Sequence, residues 1–100
     1  MIIHAVYFTL KDKTPAVFDA FVEDTKTFGK DIPGAVFFQV GTRIPDQNDP
    51  IYDQDFDVML VSAFPDAKTL EAYLVHPDHV AYCERNGSNW ANIRISDAQD

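Results

Sequence analysis

"IIHAVYFTL", residues 2–10, is apolar on both of its alternating sides. Side chains alternate along a strand. Ile2, His4, Val6, Phe8 and Leu10 therefore fall on one face, and Ile3, Ala5, Tyr7 and Thr9 on the other. β-branched and aromatic residues favour a pleated, packed surface. An antiparallel strand with one wet face would instead alternate apolar with polar. This stretch predicts a strand covered on both sides. "AVFFQVG" (35–41) and "FDVMLVSAF" (56–64) have the same character.

Between the first two of these runs, Thr14 offers a helix N-cap and Pro15 a first helical residue. Phe18, Phe21, Val22, Thr25 and Phe28 then recur at helical spacing, with Asp19, Glu23, Asp24 and Lys26 on the wet side. "GKDIPG" (29–34) stops that helix, and "IPDQNDPIYDQ" (44–54) is a polar, proline-containing loop. "PDAKTLEAYLV" (65–75) predicts a second helix capped by Asp66. Pro77 interrupts it, "DHVAYCERN" (78–86) is a further short helical piece, and "ANIRISD" (91–97) is a last strand. The order β-α-β-β-α-β predicts an α+β, ferredoxin-like protomer, an antiparallel sheet with helices on one face, over a single domain of residues 1–100.

Two helices cover only one face of four strands. The uncovered face carries apolar residues, and burying apolar surface is worth ~25 cal/mol per Å² before association costs. The simplest cover is the same sheet of a second copy across a two-fold axis, so a homodimer packed sheet to sheet is expected.

Sixteen acidic against eight basic residues give a net charge of −8, and the basic ones are scattered. That balance opposes nucleic acid and anionic membrane as partners. No apolar run approaches the ~20 residues of a spanning helix, and "MIIHAVYF" lacks the pattern of a secretory signal. The lone Cys83 excludes an intrachain disulfide framework and fits a reducing compartment. A cytoplasmic protein is expected.

"HAVYFTLK" (4–11), "IPGAVFFQVG" (32–41) and "DVMLVSAFPDAKTLEAYLVHPDHVAY" (57–82) together resemble the stress-responsive dimeric α/β-barrel (Dabb) domain, over roughly residues 2–97. The most specific element is the helix ending in "AYLVHPDHV", together with the N-terminal His-x-Val-x-Phe. The resemblance implies a ferredoxin-like protomer and a dimer whose sheets close a barrel. It also implies a mixed functional family, in which many members are known only as stress-induced. One branch includes a plant polyketide cyclase that performs an intramolecular aldol condensation without a cofactor. Its working groups correspond here to His4, Tyr73 and His79, which become the candidate catalytic residues. "CERNGSNWAN" (83–92) departs from the family, being more polar around Gly87.

Each candidate also has a structural alternative. His79 has the chemistry of a general base near neutral pH, or it bonds a backbone carbonyl at a helix start. His76 precedes Pro77, is biased away from helical geometry, and is expected to serve the helix break. His4 lies among apolar neighbours, as a hydrogen-bonded core histidine does. Tyr73 sits at helical spacing from Leu70 and Leu74, so packing is its default, with a hydroxyl that wants a partner. A zinc site from His4, His76 and His79 is disfavoured by Pro77 and by the lack of a supporting ligand pattern. Cys83, four residues after His79, is expected to be buried rather than nucleophilic. The acidic loop fails the calcium-loop pattern, with Ile51 at the required glycine. Three functions remain: a stress-responsive homodimer with a pocket between sheet and helices for a small apolar or aromatic ligand, a cofactor-free cyclase-like enzyme, or a structural module. No cofactor or metal is expected in any of them.

Overall fold

The computed structural model describes residues 1–100. The elements are β1 (Ile2–Leu10), α1 (Pro15–Gly29), β2 (Phe37–Thr42), β3 (Val58–Phe64), α2 (Ala67–Leu74), α3 (Pro77–Asn86), a short 3-10 turn (Gly87–Asn89) and β4 (Trp90–Gln99). The four strands form one antiparallel sheet in the order β2-β3-β1-β4. This is the ferredoxin-like arrangement, with the expected second helix divided into α2 and α3. No helix is long and apolar enough to cross a membrane.

Local chemistry explains the boundaries. Pro15 opens α1, but Thr14 does not cap it with its hydroxyl, which donates instead to Asp12 Oδ1 at 2.8 Å. At the other end Gly29 lies so close to the Phe38 ring that a Cβ would collide with it. Gly34 turns the chain toward β2 with φ +81°, a conformation glycine adopts without steric cost. Asp66 caps α2 by accepting from Thr69 N at 2.8 Å.

One face of the sheet lies under the helices. Ile2, His4, Val6, Phe8 and Leu10 of β1 and Val58, Leu60, Ser62 and Phe64 of β3 are buried there. The apolar core on this face has two parts. The larger is built around Val6, Phe8, Phe21, Leu60 and Tyr82, the smaller around Ile2, Phe64, Leu70 and Tyr73, and Phe28 packs against both. Between them runs a cross-strand row of polar side chains, Ser62 opposite His4 and His4 opposite Asp97.

The other face is open in the protomer. Ile3 and Phe37 are 46% and 48% exposed, while Tyr7, Met59 and Val61 are half-buried beside them. At one end the segment before β3 folds over this face, where Phe56 packs edge-on against Tyr7. Arg94 lies over the same tyrosine, 5.1 Å from its ring centre, and pairs with Asp53 at 2.6 Å.

Candidate active site

The break between α2 and α3 builds the site. His76 takes an extended backbone and caps α3, its Nδ1 accepting from Asp78 N at 3.1 Å. Pro77 follows as the first helical residue, where its missing N–H is not needed. His76 thus spends Nδ1 on the helix start, while its side chain also lines the cleft.

His79 sits one turn into α3 and reaches back across the break. Its Nδ1 lies 3.0 Å from Leu74 O, one of the carbonyls left without a helical partner at the end of α2. A carbonyl only accepts, so Nδ1 carries the proton and Nε2 keeps its lone pair in the neutral ring. Burial is the largest influence on this imidazole and holds its pKa below the ordinary value. The Leu74 bond opposes that shift, and the nearby His4 reinforces it. Cys83 Sγ lies 3.8 Å from Nε2 and 4.0 Å from Nδ1. These near-equal distances seat the sulfur against the ring as a whole. Burial pushes the Cys83 thiol up, away from the thiolate a nucleophile needs.

Tyr73, on the last turn of α2, is 4% exposed. Its ring meets His79 edge-on with centres 4.7 Å apart, and meets His4 the same way at 6.1 Å. Phe64 closes the side toward the sheet at 5.1 Å. Burial raises the phenol far above its usual range, so Tyr73 is a hydrogen-bond donor and not a phenolate.

His4 is buried in β1, and its Nδ1 lies 2.6 Å from Asp97 Oδ1 on the neighbouring strand. A carboxylate in that position fixes the ring's orientation and the proton on Nδ1. Asp97, half-exposed on β4, leads this contact out to the edge of the sheet.

Tyr73 and His79 share the wall of a cleft with Phe28, Ile32, Pro33 and His76, with Asp31 and Asp78 completing the lining. The cleft leaves only about 10 Å³ for the centre of a water-sized molecule, close to the least that holds a single water. His4 is not on this wall; the Tyr73 ring stands against it. The three expected residues are therefore neighbours, two facing the cleft and one behind. Asp97 and Ser62 were missed in the sequence, although aligning residues 2–10 antiparallel to 90–99 would have set Asp97 opposite His4.

The chain matches the family model of the Stress responsive A/B Barrel Domain, Dabb, over residues 2–100. Among curated proteins, none matches it. A Dabb family protein with a ferredoxin-like fold from Mesorhizobium loti is 27% identical, with a TM-score of 0.82, over 99% of this chain and 95% of that one. A dimeric ferredoxin-like protein of unknown function from Thermobifida fusca is 19% identical, with a TM-score of 0.81, over 99% and 90%. The hydroxynitrile lyase from Passiflora edulis has the same fold at 15% identity, with a TM-score of 0.77, over 97% and 90%. With a match running from the first strand to the last residue, and with the strand order and divided helix described above, the chain belongs to the Dabb family of stress-responsive α/β-barrel domains.

Proposed function

We propose that the protein is a homodimer, its two sheets packed face to face, with a small-molecule site between sheet and helices in each protomer. At that site His79 acts as general base in proton transfer without a cofactor. The observation that carries the chemistry is the bond from His79 Nδ1 to Leu74 O. It leaves a neutral imidazole with its lone pair on Nε2, 3.8 Å from Cys83 Sγ, and with the Tyr73 ring centre 4.7 Å from its own. The dimer is supported by the half-exposed apolar face of Ile3, Tyr7, Phe37 and Val61, and by the dimeric ferredoxin-like neighbours.

The substrate class that fits is a small apolar or aromatic carbonyl compound. His79 Nε2 removes a proton from the carbon next to the carbonyl, and the Tyr73 O–H bonds the oxygen on which charge develops. His4, held by Asp97, packs against the Tyr73 ring from behind and positions it. Intramolecular aldol condensation is one reaction of this kind. The cleavage of a hydroxynitrile, named for the Passiflora neighbour, is another that proton transfer supports.

A second reading, a binding or structural module without chemistry, is favoured by the narrowness of the cleft and by the structural bond His79 already makes. One experiment separates the two. Exchange of the α-hydrogens of acetophenone for deuterium is followed by NMR with wild type and His79→Gln. Glutamine keeps an N–H for the Leu74 carbonyl and removes the base. Exchange above background that falls about 10²–10⁴-fold in the variant supports the enzyme. Equal rates in both proteins, or none above background, favour the module.

A further inference from the structure

The sheet ends in two edge strands, β2 on one side and β4 on the other. Each leaves a row of outward N–H and C=O groups without a strand partner, an arrangement that invites pairing with another chain. The helices do not reach β4. Ile93 and Ile95 lie on the helix-covered side, opposite Phe8 and Val6, yet they are 40% and 56% exposed where Phe8 and Val6 are buried. Further along the same side, Asp97 gives one oxygen to His4, and its other oxygen has no partner.

Strand β2 has the complementary features. A groove beside it is lined by Gly29, Phe38 and Val40 together with Lys26 and Lys30. Both lysines are exposed and neither belongs to an ion pair, in a chain where acidic residues outnumber basic ones sixteen to eight. Symmetry brings the two edges together. A two-fold axis along the strands packs the open faces against each other and keeps strand directions, so it lays β4 of one copy antiparallel beside β2 of the other. It also keeps levels along the strands. The row Asp97–His4–Ser62–Phe38 crosses the sheet, and so does the row Ile95–Val6–Leu60–Val40. Ile95 thus comes level with the partner's Val40, and Asp97 level with the partner's Phe38, beside the two lysines.

We propose that β4 of a second copy fills the groove beside β2. Ile93 and Ile95 cover its apolar part, and the partner's Lys26 and Lys30 meet the carboxylates of Asp97 and Asp100. This rests on the homodimer reading and adds which edges meet and what selects them. The two-fold repeats the contact, so neither sheet keeps an open edge. The side chains also fix the register, because a slip of one residue would turn the isoleucines and Asp97 to the opposite face, away from the groove.

The test unfolds nitrogen-14 and nitrogen-15 wild-type protein, mixes them in equal amounts and refolds them together. A carbodiimide then joins lysine amines to nearby carboxyls as amides, taking up the water released, and mass spectrometry reads the joined peptides. Links from Lys26 or Lys30 to Asp97 or Asp100 should appear in mixed-isotope form, which only a bond between two chains produces. In sedimentation, Lys26→Glu/Lys30→Glu should raise the dimer dissociation constant about tenfold or more at low salt, with the difference shrinking as salt is added. A wild-type dimer without the mixed-isotope link would overturn the edge contact and leave the sheet-to-sheet dimer standing, as would a dissociation constant unchanged in the variant. Wild-type protein that stays monomeric would overturn both.

Discussion

His79 donates from Nδ1 to the carbonyl oxygen of Leu74, across 3.0 Å and across the break between α2 and α3. One hydrogen bond therefore does two things. It satisfies a helix-end carbonyl, and it selects the tautomer that leaves Nε2 basic. A histidine held in the fold as a neutral ring should reveal itself in the pH dependence of stability.

Burial sets the pKa of His79 in the folded chain below the ordinary 6.5. The folded state binds this proton less readily than the unfolded state. The stability that depends on the neutral ring is therefore full above about pH 6.5 and is lost as pH falls through the folded value. Wild type should lose melting temperature between pH 7 and pH 5, and His79→Gln should lose less. Carboxylates such as Asp24, lowered from 3.8 mainly by Arg85, titrate further toward acid and do not produce this difference. Identical profiles for the two proteins would show that His79 is not held neutral by burial.

His76→Ala removes the side-chain acceptor at the start of α3. Loss of an N-cap costs about 0.5–2 kcal/mol, so denaturant unfolding should shift to lower midpoint. Deuterium exchange per folded molecule should stay within a few-fold of wild type. A variant as stable as wild type but without exchange would move His76 from the helix break into the chemistry.

Much of this fold was legible in the sequence. Strand β1 came with its right bounds because both of its faces are apolar, and α1 because Thr14-Pro15 precedes five residues at helical spacing. The departures have local causes. The strand expected from residue 56 begins at Val58 because Phe56 turns out to pack on Tyr7 at 5.6 Å. The last strand, expected over 91–97, runs Trp90–Gln99 because β1 pairs with it as far as Gln99 opposite Ile2. Its polar residues carry no strand signal of their own. His4, Tyr73 and His79 were singled out through a family resemblance, and their rings lie as neighbours, Tyr73 4.7 Å from His79 and 6.1 Å from His4. Asp97 and Ser62 were not found, since they reach His4 through strand register, which no local spacing encodes.

The open face of the sheet should be closed by a second copy. Sedimentation at micromolar protein should give about twice the mass of one 11.3 kDa chain. Val61 lies on a central strand of that face, and Val61→Asp should yield monomer or aggregate, because a buried unpaired carboxylate is strongly disfavoured. A wild-type protein that stays monomeric and soluble would contradict the sheet-to-sheet assembly.

The fold presents His79 as a neutral ring with its lone pair on Nε2. Nitrogen-15 NMR of the labelled histidine ring, followed from pH 8 to pH 5, tests it directly. The proton should sit on Nδ1 at neutral pH, with a titration midpoint below 6.5. A proton on Nε2, or a midpoint at or above 6.5, would contradict it.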